Sequence, residues 1–254
     1  ISFVIIFIFF STLQAKNLDK FNKAKSISDY FSGILHLSEN QYSESNNFLK
    51  RLDGLESSHQ NYSKKYLFSL VNSGKLSQAF HYSNKLERES KDSYVSDLIT
   101  GVYLLGNSKF KKSKNYFLKA KNRETNSVLE NYIANSLFIW SDIDQKNFDN
   151  AKIDLNKLDA RFENLQKIQI VFLSCFFDKA ETENLFQNLT LNQGIDFSRY
   201  NYFFAKYLEN TNKLEDAKKI VNLSLKKYPR NLLLNQYKVD LENLKKSFNF
   251  NCKN

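Results

Sequence analysis

The sequence predicts an all-α chain, a right-handed α-solenoid of about six stacked helix hairpins. Two observations predict it. A cluster of an aromatic or apolar residue, a small residue three positions on and, in most copies, a bulky apolar residue recurs along the chain. Tyr42–Ser45–Leu49, Leu76–Ala79–Ser83, Phe110–Ser113–Phe117, Phe148–Ala151–Leu155 and Leu214–Ala217–Val221 are five copies, their small residues 34, 34, 38 and 66 positions apart. The second observation is helical periodicity, with apolar residues at i, i+3, i+4 and i+7 on both sides of each turn.

The elements follow in order. Tyr30, Gly33 and Leu37 share one face of a first helix, and Tyr42, Ser45, Leu49 and Leu52 one face of a second. Asn40, Gly74, Ser108 and Asn212 occupy the turns before second helices. The third copy reads most clearly: Thr100-Gly101, Leu104, Phe110, Ser113, Phe117 and Ala120. Gly101 lets two helices cross closely, although glycine within a helix costs about 1 kcal/mol relative to alanine. The 66-residue step hides a degenerate copy at Phe177–Ala180, dividing it into 29 and 37. Leu189 to Ser198, with Asn192-Gln193-Gly194, reads as a longer loop. Pro229, the single proline, ends the last second helix, and Asn231 to Phe248 continues a helical pattern through Leu234, Tyr237, Leu241 and Leu244, suited to capping a solenoid.

This pattern resembles the tetratricopeptide repeat family over roughly residues 26–230. Leu214-Glu215-Asp216-Ala217, Val221, Ser224 and Pro229 match the second half of the family's repeat in register. A non-repetitive helical bundle is the plain alternative, and a Sel1-like repeat lacks its glycine-rich signature here. The resemblance implies a scaffold that binds a protein or peptide in a concave groove lined by first helices. In register, the inward positions are Tyr30, Ile34 and Leu37, then Lys64, Phe68 and Asn72, then Leu98 and Val102. Ser136 and Trp140 follow, and finally Tyr202, Lys206 and Asn210. Trp140, Phe68, Tyr30 and Tyr202 are the expected anchors, because aromatic side chains carry most interface energy. The family's clasp for a terminal carboxylate is not expected, since Tyr30 and Ile34 stand at its sites in the first repeat.

Residues 1–10 form an apolar run broken by one serine, too short to span a bilayer, and Leu13-Gln14-Ala15 offers a cleavage site before Lys16. The segment 1–15 therefore reads as a signal peptide of an exported, periplasmic bacterial protein. The alternative is an uncleaved anchor holding a structural subunit of an envelope assembly, which gives the only expected membrane contact. Residues 16–230 then form one repeat domain, and residues 231–254 a cap or the start of further repeats. Few glycines argue against internal linkers.

The net charge of +10 admits an anionic partner, but lysines such as Lys218, Lys219, Lys226 and Lys227 alternate with acids on helices and read as solvated faces, not a nucleic-acid surface. Cys175, in an apolar stretch, reads as a buried thiol, and a bond to the distant Cys252 is disfavoured. His36, His59 and His81 are too scattered for a metal motif, and His36 reads as a core histidine. No catalytic motif or cofactor-binding loop stands out, and carboxylates such as Asp142 and Asp144 or Glu181 and Glu183, spaced by two, fall on different helix faces, so the expectation is a protein without enzyme activity or cofactor.

Overall fold

Helix follows helix along the chain. The computed structural model describes residues 23–59, 61–124, 127–143, 147–190, 198–243 and 252–253. The segment 1–15, most of the expected 189–198 loop and the end of the 231–248 pattern lie outside the described residues. In chain order the α-helices are α1 (Ala24–Ser38), α2 (Tyr42–Leu49), α3 (Tyr62–Asn72), α4 (Leu76–Arg88), α5 (Tyr94–Gly106), α6 (Phe110–Lys121) and α7 (Val128–Trp140). They continue with α8 (Phe148–Asn156), α9 (Glu163–Phe176), α10 (Thr182–Thr190), α11 (Ser198–Asn210), α12 (Leu214–Lys227) and α13 (Leu232–Glu242). No strand occurs among the described residues. The fold is an all-α, tetratricopeptide-like array of helix hairpins.

The small residues do the mechanical work assigned to them. Ser45, Ala79, Ser113, Ala151 and Ala217 are all fully buried. In two hairpins the device is identical: Ser45 Oγ donates to the Gly33 carbonyl and Ser113 Oγ to the Gly101 carbonyl, each at 2.8 Å. A hydroxyl on the second helix thus satisfies itself on the first helix's backbone where a larger side chain would separate them. The turns repeat as well. Asn40, Gly74, Ser108 and Asn212 adopt φ of 60°, 75°, 56° and 62°. Each is a left-handed helix stop: the next residue's N–H returns to a carbonyl of the closing turn, as Lys109 N does to Leu104 O at 2.9 Å.

Two sequence expectations shift. The degenerate copy at Phe177–Ala180 is not a second helix: Ala180 lies exposed in the turn after α9. Asp178, at φ 50°, is the helix stop there, and Thr182, Phe186 and Leu189 of α10 take the buried places that Ala217, Val221 and Ser224 hold in α12. The repeat expected over 16–230 also divides into two compact units, residues 1–142 and 143–254. In the first, α1 through α7 each pack on the next, and Leu49, Leu67, Leu70 and Leu86 share a core with Tyr62, Tyr66 and Tyr82, Tyr62 stacked on Tyr66 and Tyr66 edge-on to Tyr82. In the second, α9 through α13 surround Phe186, Phe204, Leu208, Leu234 and Tyr237, and α8 packs on α9.

The unit 143–254 also contains the disulfide that the sequence disfavoured. Cys175 of α9 and Cys252 are bonded, with Cα atoms 5.7 Å apart. Lys253 pairs with Asp178 beside it. The tail returns to the helix, and both sulfurs join the apolar cluster.

Charge in the unit 1–142 is gathered into ion networks on second helices. Lys119 of α6 lies 2.9 Å from Glu87, 2.8 Å from Asp92 and 3.6 Å from Asp97, while Arg123 Nε donates to Asp97 at 2.7 Å. Burial works to raise the Glu87 and Asp92 carboxyls, but hydrogen bonds from Lys119, with Tyr116 or Arg123, outweigh it and hold both below the usual range. Burial wins at Asp97 and raises it. A lowered carboxyl contributes stability that is present above its unfolded pKa and lost as pH falls through the folded value, whereas Asp97 opposes this trend. The expected result is a urea midpoint that falls as pH drops below about 4, more shallowly in Glu87→Gln and more steeply in Asp97→Asn. Fluorescence of Trp140, the single tryptophan, reads it.

Candidate functional site

The helices of the unit 1–142 divide by chemistry. Its second helices carry the charge: α6 alone has Lys111, Lys112, Lys114, Lys119 and Lys121. Its first helices α1, α3, α5 and α7 carry three carboxylates, Asp29, Asp97 and Glu130, and each is engaged. Asp29 meets Arg51 at 3.0 Å and Asp97 meets Arg123, both acids being buried. Glu130 closes a capping box with Ser127, accepting its N–H at 2.7 Å, and those hydrogen bonds hold its carboxyl low, with a smaller contribution from Lys64. What remains exposed on these helices is largely apolar.

One row organises that surface. Ile34, Phe68 and Val102 follow the buried Gly33, Leu67 and Gly101 by one residue, so they hold equivalent outward positions on α1, α3 and α5. Phe68 is 49% exposed and Val102 39%, while Ile34 is half-buried. Such exposure is unusual for side chains of this size in a contiguous register. Two successive pairs of first helices meet: α3 contacts α5, and Tyr94 Oη of α5 donates to the Glu130 carbonyl of α7 at 3.0 Å. Lys64 acts electrostatically on Glu130, which places the start of α3 within reach of the start of α7.

On α7 the sequence register needs correction. Counting back from Ala151 put Ser136 and Trp140 in the groove. Ser136 is buried, and the buried set Tyr132, Ser136 and Ile139 reproduces Asp97, Gly101 and Leu104 of α5. Ser136 therefore takes the place that Gly101 holds on α5, Leu137 is the fourth member of the row, and Trp140 stands one turn further on, in the place of Leu105. Seven residues, 141–147, separate α7 from α8 in the sequence, where three separate α1 from α2, α3 from α4 and α5 from α6, and this moved the count.

The remaining expected contacts fall as follows. Tyr30 is half-buried, packed on the His59 ring at 4.8 Å and against the core, and burial raises its hydroxyl pKa. Lys64 is exposed without an ion pair within 4.0 Å among the described residues. Asn72 is exposed, but its side-chain N–H donates to the Phe68 carbonyl of its own helix at 2.9 Å. His36 is half-buried, stacked on Phe48 at 5.3 Å. In the unit 143–254, Tyr202 is half-buried against Tyr237 at 5.2 Å. Lys206 is a correction: it is 1% exposed, bonded to Glu209 at 2.8 Å with its ammonium 4.6 Å over the Tyr237 ring, so it is a core cation and not an open contact. Tyr237 Oη reaches the same Glu209 at 2.7 Å, which completes the network. Sequence reasoning missed Ile133, Leu137 and Val71 on the apolar face. Their signal was the same one-residue offset from a buried position, visible only once the turn lengths are known.

Among the described residues, no group of three or more His, Cys, Asp or Glu side chains is arranged to hold a metal ion.

No protein-family model matches the chain, and no curated protein matches its sequence. Solved structures do. The fold is similar to that of pilF from Pseudomonas aeruginosa, with 11% identity and a TM-score of 0.51 over 86% of this chain and 100% of that one. It is similar to RapI in its apo form, with 14% identity and a TM-score of 0.51 over 90% and 89%. The Cut9–Hcn1 hetero-tetramer of the APC/C matches at 13% identity and a TM-score of 0.49 over 91% of this chain and 45% of that one. These neighbours contain tetratricopeptide repeats.

Proposed function

Taking the tetratricopeptide-like helical-repeat fold as premise, we propose that the chain is a non-catalytic, exported scaffold that holds a protein partner on the first-helix face of residues 24–140. One observation carries the reading: Ile34, Phe68, Val102 and Leu137 form an outward apolar row on helices whose carboxylates are all engaged. An apolar row rimmed by polar side chains marks an interaction surface. Export is supported by the apolar run 1–10 with its cleavage site and by the Cys175–Cys252 bond, which belongs in an oxidising compartment.

The test compares the full chain with a Phe68→Asp/Val102→Asp variant as bait in envelope extracts. Both positions are surface-exposed, so circular dichroism should stay unchanged while capture of the wild-type partner weakens by about 30-fold, the loss of one hot spot. Equal capture by both baits rejects the surface. Fractionation with N-terminal sequencing tests export: a mature chain starting at Lys16 supports it, and an intact apolar segment in the membrane fraction favours the anchored structural subunit.

A further inference from the structure

We propose that the occupant of the first-helix face is an amphipathic α-helix bearing a carboxylate opposite Lys64, a partner class that rests on the preceding reading of this face. Three observations lead there. First, the face offers little to an extended backbone. An extended peptide exposes one N–H and one C=O per residue, and each needs a partner when buried. The row itself is Ile34, Phe68, Val102 and Leu137. Asparagines on the same helices are turned to their own backbone: Asn72 to the Phe68 carbonyl at 2.9 Å, Asn107 to Tyr103 and Asn135 to Asn131, both at 2.7 Å. A helix satisfies its backbone internally and needs only an apolar stripe.

Second, the spacing fits. Packed neighbouring helices lie about 8–10 Å apart, and seven residues of a helix advance about 10.5 Å. A partner helix laid across α1, α3, α5 and α7 therefore presents one apolar residue per heptad to each member of the row. Third, charge selects the polar side. Lys64 stands at the position held by Tyr30, Leu98 and Ile133 on the other helices, exposed and without an ion pair among the described residues. Asp29 and Asp97 are buried against arginines, and Glu130, whose carboxyl Lys64 helps to hold low, is bonded in its capping box, so Lys64 is where an incoming carboxylate meets a cation.

The experiment measures binding of three fluorescent peptides of about 21 residues, six helical turns, to the full chain. All carry leucine in a heptad pattern; one has glutamate on its polar face, the second lysine, and the third is the glutamate peptide with two central prolines. The glutamate helix should bind at least tenfold tighter than either twin, Phe68→Asp should weaken its binding about tenfold or more, and Lys64→Glu should reverse the charge preference. Equal binding of the proline peptide, still weakened in Phe68→Asp, overturns the helical occupant and leaves the surface standing. Binding that ignores Phe68→Asp removes the surface and the inference together. Absence of charge preference overturns the carboxylate, and no binding of the glutamate helix below about 100 µM, weaker than a usable recognition affinity, overturns the inference.

Discussion

Gly101→Ala should destabilise the unit 1–142 by about 2 kcal/mol, although the same change in an open helix stabilises by about 1 kcal/mol. The sign turns on one contact. A Cβ built on Gly101 would lie 2.4 Å from Cε1 and 2.7 Å from Cδ1 of Phe117. Phe117 is fully buried, and its ring cannot withdraw as the tip of an exposed side chain would. The carbonyl of Gly101 also accepts the Ser113 hydroxyl, so separating the helices would strip a buried hydrogen bond as well. Gly101→Val adds two more carbons at the same crossing and should cost about 3 kcal/mol or more. Gly106 is the internal control: it ends the same helix, and nothing lies within 4 Å of its Cβ position. Gly106→Ala should be neutral or stabilising. Urea denaturation followed by Trp140 fluorescence measures all three, and Phe117→Leu in the Gly101→Ala background should recover about 1 kcal/mol because the two positions share one space. If Gly101→Ala proves as stable as Gly106→Ala, the close-crossing account of the hairpin fails.

The parts of the architecture that were readable share a cause: they are local. The small residues recurring at steps of 34, 34 and 38, Gly101 facing Ser113, and the left-handed turn sites Asn40, Gly74, Ser108 and Asn212 all depend on contacts within one hairpin. Periodicity reports such contacts directly. The errors came where the hairpin changed length. Ser136 was misplaced because seven residues, 141–147, separate α7 from α8 where three separate the helices of the earlier hairpins, while Trp140 keeps a place on the apolar face, one turn beyond Leu137 and equivalent to Val71. Ala180 was taken for a helix-packing residue because it followed Phe177 at the right distance, yet Asp178 had already ended the helix. Lys206 was hidden for another reason. A lysine on a first helix looks solvated until Glu209 and Tyr237, the latter two helices away in the chain, close around its ammonium. The sequence places Phe68 and Val102 at inward groove positions and the structure leaves both exposed on first helices, whereas the engagement of every carboxylate on these helices needed the pairings with Arg51 and Arg123.

Reduction of the Cys175–Cys252 bond should cost the unit 143–254 about 4 kcal/mol, the second large effect. The bond closes a loop with a sequence separation of 77 residues, and in the chain-entropy description a loop of this length restrains the unfolded ensemble by that amount. The folded side contributes too. Cys175 is buried in α9 among the side chains of the apolar cluster, Cys252 packs against that cluster, and the Lys253–Asp178 pair holds the tail at the same place. The Cys175→Ser/Cys252→Ser variant should therefore match the reduced wild type, and adding reductant to the variant should change nothing. Denaturation followed by circular dichroism gives the stability, and hydrogen exchange should show α9 losing protection on reduction. Equal urea midpoints for oxidised and reduced chain would mean that the tail contributes nothing to the fold. A large difference would support the proposed export, because the bond persists only in an oxidising compartment. The stability measurement and the fractionation experiment then bear on the same question through independent physics, one through the apolar segment 1–15 and the other through two sulfur atoms in the unit 143–254.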